Sequence, residues 1–258
     1  MIGFCPLASG SKGNALYLGS KNTKLLIDAG LSVKELKERL SSIEVGIEEI
    51  QGVLITHEHV DHIRGISTLC QKYGIPVFAN IETAKAILSV VKYPPKFKIF
   101  STGDPFQLSD IYIHPFSIPH DAIDPVAFTF RIEGLKIGVC ADLGFASSLV
   151  VGQLRDCDYL YIEANHEPSR VHACSRPMVY KQRVLSRQGH LSNEESASVV
   201  TAVYHDRLKH VYLAHLSSEC NSPDLALQTV SKALARESKS VSISVAPQDT
   251  VATAVYFS

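Results

Sequence analysis

The sequence predicts an α/β (α+β) fold of two β-sheets with helices covering their outer faces. Three observations predict it. Short apolar runs with strand patterning alternate with amphipathic stretches at helical spacing along the whole chain. The candidate ligand residues, Asp28, His57 to His62, His120, Asp142 and His215, all fall at strand ends. The composition, 45% hydrophobic and 20% charged over 258 residues, is that of an ordinary globular chain. Two domains would fit in this length, but α/β sandwiches of this size run as one, so a single domain over residues 1–258 is expected.

Phe4 to Leu7 reads as a first strand. The small-residue turn Ser9-Gly10-Ser11-Lys12-Gly13-Asn14 follows, then strands at Ala15 to Leu18 and Lys24 to Ile27, the last ending in Asp28-Ala29-Gly30. Leu31, Val33, Leu36 and Leu40 mark an amphipathic helix. Gly52 to Thr56 is a buried strand, and the segment after His62 reads as one helix to Tyr73, stopped by Gly74. Pro76 to Ala79 is a strand, and Glu82 to Val91 a helix ended by Pro94-Pro95. Strands follow at Lys96 to Phe100, Phe106 to Leu108, Ile111 to Phe116, Val126 to Ile132 and Leu135 to Cys140, parted by Gly and Asp turns. Ser147 to Arg155 is a short helix, and Tyr159 to Ile162 a strand leading into Glu163-Ala164-Asn165-His166. Pro168 to Arg187 is the one basic cluster, with Arg170, His172, Arg176, Lys181, Arg183 and Arg187. Ser192 with Glu195 forms a capping box at the head of a helix reaching Asp206. Val211 to Ala214 is a strand, Asp224 to Ala235 a helix started by Pro223, and Val241 to Val245 and Val251 to Tyr256 are closing strands.

The stretch His57-Glu58-His59-Val60-Asp61-His62 holds three histidines and one aspartate within six residues, directly after an apolar strand. Imidazole and carboxylate at that density suit zinc or a similar divalent ion. His57 and His59, two apart, point the same way from an extended turn, while Asp61 and His62 start a helix and reach a second ion.

The net charge of −1 gives no overall field for a polyanion, so nucleic-acid binding must rest on a local basic patch or on bound cations. No signal peptide and no membrane span are expected. The six scattered cysteines form no CxxC pair, which fits reduced thiols in a cytoplasmic protein.

On these residues the chain resembles the metallo-β-lactamase superfamily. Its pattern is an aspartate after an early strand, HxHxDH, then a histidine, an aspartate and a final histidine. That pattern matches Asp28, His57/His59/Asp61/His62, His120, Asp142 and His215. The resemblance implies a four-layer αββα sandwich of metallo-β-lactamase type with a dinuclear site. It implies that His57, His59 and His120 bind one divalent ion and that Asp61, His62 and His215 bind the other. Asp142 would bridge them, and Asp28 would be hydrogen-bonded behind the ligands. Zinc or manganese fits these donors, with iron a further option. Gly189-His190-Leu191-Ser192, followed by a helix and Leu213-Ala214-His215-Leu216-Ser217, resembles the tRNA 3′-processing nucleases. There a histidine matching His190, held by a glutamate matching Glu163, donates a proton.

The runs LASGSKGNA, EANH, KQRVLS and GHLSN are similar to the WalJ/YycJ (VicX) branch, small bacterial cytosolic members described as 5′→3′ exonucleases acting on DNA. Where that branch tends to have a Gly-Pro element, this chain has Ala173-Cys174-Ser175-Arg176-Pro177. The inserted domain of the β-CASP nucleases and the glycine-rich arm of the tRNA enzymes are absent, so those specific activities do not carry over. The resemblance implies a metal-dependent phosphodiester hydrolase, a 5′→3′ DNA exonuclease using a hydroxide held by two ions. Asp61, Asp142, His190 and Glu163 would be its catalytic groups. Lys181, Arg183 and Arg187 are expected at flanking phosphates, Ser11, Lys12 and Asn14 beside the terminal phosphate, and Asn193 near substrate. The competing readings are an RNA-processing nuclease, a thioester or lactam hydrolase on the same fold, and a metal-binding regulatory module without catalysis.

Overall fold

The computed structural model describes residues Met1–Phe257. Its strands are β1 (Gly3–Ala8), β2 (Ala15–Gly19), β3 (Lys24–Ile27), β4 (Gly52–Leu54), β5 (Val77–Ala79), β6 (Phe97–Ile99) and β7 (Phe106–Leu108). They continue as β8 (Ile111–Ser117), β9 (Val126–Ile132), β10 (Leu135–Cys140), β11 (Tyr159–Glu163), β12 (His210–Ala214), β13 (Ser242–Val245) and β14 (Val255–Tyr256). The helices are α1 (Val33–Ser41), α2 (Val60–Ile63), α3 (Ile66–Tyr73), α4 (Ile81–Val90), α5 (Ser148–Leu154), α6 (Pro168–Ala173), α7 (Met178–Val184), α8 (Asn193–Val203) and α9 (Pro223–Arg236). The strands make two seven-stranded sheets, ordered β14-β1-β2-β3-β4-β5-β6 and β13-β12-β11-β10-β9-β8-β7.

The residues group into two compact units. The first holds Met1–Pro115, Ala122–Val126 and the chain from Ala246. The second holds Phe116–Asp121 and Ala127–Val245. In the first unit β1, β2 and β3 are antiparallel, and β3 to β6 run parallel. Leu26, Val53 and Val77 stand side by side in register and pack with Leu36 and Leu40 of α1 and Ile66 and Leu69 of α3. In the second unit β9 and β10 are antiparallel, and β10 to β13 run parallel. Leu160, Ile162, Val211 and Leu213 pack there with Val199 and Val200 of α8 and Val230 and Leu234 of α9. These strands are buried on both faces, so they read as continuous apolar runs.

Parallel register decides where polar residues emerge. Cys140, Ile162 and Leu213 are aligned neighbours, so Asp142, Glu163 and His215 leave their strands at one edge of the sheet. In the first unit Ile27 pairs with Leu54, which brings Asp28 and Thr56 to one edge. Ligands of open α/β sheets bind outside such carboxyl ends.

Two segments differ from the sequence expectation, and a third, the basic run, carried no expected element. The helix expected from His62 to Tyr73 is broken at Arg64-Gly65 into α2 and α3. There the Gly65 amide donates to the Ala29 carbonyl at 2.8 Å, which pulls the backbone out of its helical ladder. The basic segment folds as two short helices, α6 and α7. The expected strand Val251 to Tyr256 pairs only at Val255–Tyr256, against Phe4 and Gly3. Pro6, farther along β1, has no N–H to extend the ladder.

Candidate metal and catalytic site

The first unit carries a histidine cluster built on three strand ends. After β3 the backbone turns left-handed at Asp28, φ +60°. That conformation is strained for a residue with a side chain, and it swings the carboxylate back over the end of β4. There Asp28 Oδ1 accepts the Thr56 amide at 2.9 Å, and the Thr56 hydroxyl lies 2.9 Å from Oδ2. The same Oδ2 sits 2.8 Å from His62 Nδ1. A carboxylate on Nδ1 fixes the tautomer and leaves the Nε2 lone pair available to a cation. Asn14 Nδ2 reaches that Nε2 at 3.0 Å and Asp61 Oδ2 at 3.2 Å. His57 Nε2 and His59 Nδ1 converge to 3.0 Å, and the His57 ring centroid is 4.1 Å from that of His62.

The approach of these segments depends on Gly30. A Cβ there would fall 1.6 Å from the Asp61 carbonyl oxygen. With no side chain in the way, Asn14 N donates to Asp61 O, Gly30 N to Asn14 O and Ala29 N to His62 O, each at 2.8 Å.

The second unit carries the acidic counterpart. Asp142 and His215, just beyond β10 and β12, are both left-handed at φ +53°. Glu163 closes β11 and is fully buried. Its Oε1 lies 2.8 Å from Nδ1 of both His190 and His215. Its Oε2 accepts the Leu143 and Leu191 amides at 2.6 and 3.2 Å. Burial pushes the Glu163 carboxyl up, but the charges and hydrogen bonds of His190 and His215 outweigh it and hold it below the ordinary range. Asp142 Oδ1 is 3.1 Å from His215 Nδ1, and Asn165 Nδ2 donates to the His215 carbonyl at 2.7 Å. Asp142, Glu163, His190 and His215 each offer a ligand atom within 4.8 Å of the others'. His120 Nδ1 lies 3.1 Å from the Gly189 carbonyl oxygen, and burial lowers its pKa, which favours the neutral, ligating imidazole.

The donor set fits divalent metal. His62, His120 and His215 each direct Nδ1 at an oxygen, leaving Nε2 for a cation, and carboxylates stand beside them.

The family model for the beta-lactamase superfamily domain matches residues 23–215. The exodeoxyribonuclease YycJ of Bacillus anthracis is 39% identical over 234 residues, covering 90% of this chain and 88% of that protein. The exodeoxyribonuclease WalJ of Streptococcus pneumoniae is 38% identical over 249 residues, covering 95% and 92%. The chain belongs to the WalJ/YycJ branch of the metallo-β-lactamase superfamily. It has the metallo-β-lactamase fold. The protein YhfI of Bacillus subtilis, a solved member of that fold, aligns with a TM-score of 0.72 at 16% identity over 98% of this chain and 99% of its own.

The remaining sequence-derived candidates lie apart from these two clusters or are held by other contacts. Ser11 and Lys12 are exposed on the β1–β2 turn, with Lys12 Nζ 3.7 Å from Asp249. Lys181 Nζ donates to the His172 carbonyl at 2.7 Å. Arg183 is ion-paired to Asp121, whose other oxygen is 3.3 Å from His120 Nε2. Arg187 stacks on Phe145, its guanidinium carbon 4.0 Å from the ring centroid. Asn193 is fully buried and bonded to Asn221, so it braces the head of α8 and has no surface to offer a substrate. Sequence reasoning missed Thr56, which ties Asp28 to the histidine loop, and Asp121, which links His120 to Arg183. Asp121 was signalled by its adjacency to His120; Thr56 had no signal.

Proposed function

We propose that this protein is a metal-dependent phosphodiester hydrolase that removes nucleotides from the 5′ end of DNA. The observation that carries the reading is the single buried carboxylate of Glu163 shared by His190 and His215. On this reading it holds the imidazole that would donate a proton, His190, beside one that would bind metal, His215. The named activity of YycJ and WalJ supports DNA as the substrate.

Following the superfamily pattern, His57, His59 and His120 would hold one divalent ion and Asp61, His62 and His215 the other, with Asp142 shared between them. Zinc or manganese suits these donors, with iron a further candidate. When bound, such ions supply Lewis-acid stabilisation of phosphoryl oxygens and lower the pKa of water. The protein's own residues do the rest. Glu163 holds His190 by Nδ1 and so presents Nε2 toward the substrate. A water oxygen adds to phosphorus, the P–O3′ bond breaks, and the proton on His190 Nε2 passes to the departing O3′. The water's proton leaves to solvent. Arg187 and the α6–α7 segment lie on the side of His190 and receive the strand. A single domain over residues 1–258, acting in the cytoplasm, completes this reading.

The test uses metal-stripped protein with end-labelled DNA and RNA, restoring zinc or manganese separately. The expected result is release of mononucleotides from the 5′ end of DNA. His190→Ala should lower kcat on DNA by about 10²–10⁴-fold. It should cost far less on a p-nitrophenyl phosphodiester, whose leaving group needs no proton. Turnover of a thioester or β-lactam with no phosphodiester cleavage would overturn the reading.

A further inference from the structure

Beside His190 the second unit has a cavity of about 330 Å³ that the chemistry above does not use. Its walls include Phe145, His166, Arg187, His190, Ser192 and Glu194. The size is at the lower end of small-molecule sites. Phe145 lies three residues beyond Asp142, in the turn after β10. Arg187 lies three residues before His190. The two are locked together because Gly144 has no side chain: a Cβ there would sit 2.5 Å from the Arg187 carbonyl oxygen and 2.6 Å from the Gly189 nitrogen. The Arg187 guanidinium carbon lies 4.0 Å from the Phe145 ring centroid, Arg187 is exposed, and both side chains line the cavity, so the pair offers it a flat surface on which a further planar group can stack.

Charge decides what the cavity receives. The head of α8, which in other proteins attracts phosphate, is already closed here. The Ser192 hydroxyl caps the Glu195 amide at 3.2 Å, and the Glu195 carboxylate takes the Ser192 amide at 2.9 Å. Glu194 adds a second carboxylate to the wall. Two carboxylates repel a phosphate and accept hydrogen bonds from amino and imino groups. His166, from the EANH run, is 2% exposed, and its Nδ1 has no hydrogen-bond partner among the described residues. Burial lowers its pKa, so the ring adds a neutral imidazole to the wall.

We infer that this cavity is a nucleobase subsite. The base of the nucleotide being released stacks on the Arg187–Phe145 pair while His190 protonates that nucleotide's O3′. The inference rests on the nuclease reading and deepens it: the leaving nucleotide is recognised by its flat base, not only by its phosphates. Stacking accepts any of the bases, so the subsite confers a requirement for a base without a strict sequence.

The experiment compares single-stranded DNA carrying a normal 5′-terminal nucleotide with the same strand carrying an abasic one. The wild-type protein is expected to cleave the normal terminus with kcat/KM at least about tenfold higher, mostly through KM. In Phe145→Ala and in Arg187→Ala the ratio between the two substrates should fall to near one. A wild-type ratio near one overturns the subsite, as does a ratio unchanged in both variants. Dependence on a 5′-phosphate with indifference to the base would also overturn it, by showing an anion site. Bis(p-nitrophenyl) phosphate serves as the control for the reaction itself. If the wild-type protein cleaves neither it nor DNA, the nuclease reading fails. If it cleaves both but ignores the base, only the subsite fails.

Discussion

Glu163 carries more of its cluster than any neighbouring side chain. One buried carboxylate receives two imidazoles and two backbone amides, so it sets the orientation of His190 and His215 and the path of the chain at Leu143 and Leu191. Its pKa is held below the ordinary glutamate range, so it contributes stability above that range that is lost as the pH falls through and below it. Glu163→Gln should therefore flatten the acid side of the stability curve of the metal-free protein, measured by urea denaturation from neutral pH down to about pH 2. The same variant should lower kcat by about 10²-fold or more, because His190 loses the carboxylate that holds its ring by Nδ1. In the other unit Asp28 does the corresponding work for His62. Asp28→Asn should weaken metal binding about 10–100-fold, measured by competition with a chromophoric chelator. An unchanged affinity would mean that His62 needs no carboxylate to hold its tautomer. The positions of Asp28, Asp142 and His215 at strand ends are legible in the sequence, because each follows an apolar run. Their left-handed backbones are not, because only tertiary contacts such as Thr56 on Asp28 decide that conformation.

Helix α8 shows how a locally encoded element positions a remote group. Ser192 and Glu195 form the capping box that the S-x-x-E spacing announces. The cap is also stitched to the segment after β11: Asn165 N donates to Leu191 O and Asn193 N to His166 O, each at 2.9 Å. Losing the cap thus loosens the residues that follow His190. Ser192→Ala should destabilise the protein by about 0.5–2 kcal/mol, read as a lowered urea midpoint with an unchanged slope. A changed slope would show that the helix frays as a separate unit. The other elements are legible to the degree that local chemistry governs them. Gly74 stops α3 in a left-handed cap, as a glycine after a lysine-bearing last turn suggests. The break between α2 and α3 is set instead by Gly65 packing under Leu31 and Ala29, some thirty residues earlier in the chain, and no helical periodicity reports that.

At the level of the whole chain, charge limits how the protein meets a polyanion. The net charge is −1. The basic residues that stand out in the sequence are largely engaged within the fold. Arg176 is paired with Glu219 and Arg183 with Asp121, while Arg170 donates to the Asn221 carbonyl and Lys181 to the His172 carbonyl. The concentration of basic residues between Pro168 and Arg187 is legible in the sequence; the acids facing them are not, because Asp121 and Glu219 come from distant segments. All six cysteines are free, and among the described residues no helix is long and apolar enough to cross a membrane. Binding of single-stranded DNA should then release few counterions. With roughly three phosphate contacts the slope of log K against log salt is about −2, a loss of about 10–20-fold in affinity between 50 and 200 mM salt. Fluorescence anisotropy of a labelled oligonucleotide, with a non-hydrolysable terminal linkage, measures it directly. A slope steeper than about −4 would require cations beyond this segment and would move the DNA path away from the α6–α7 face.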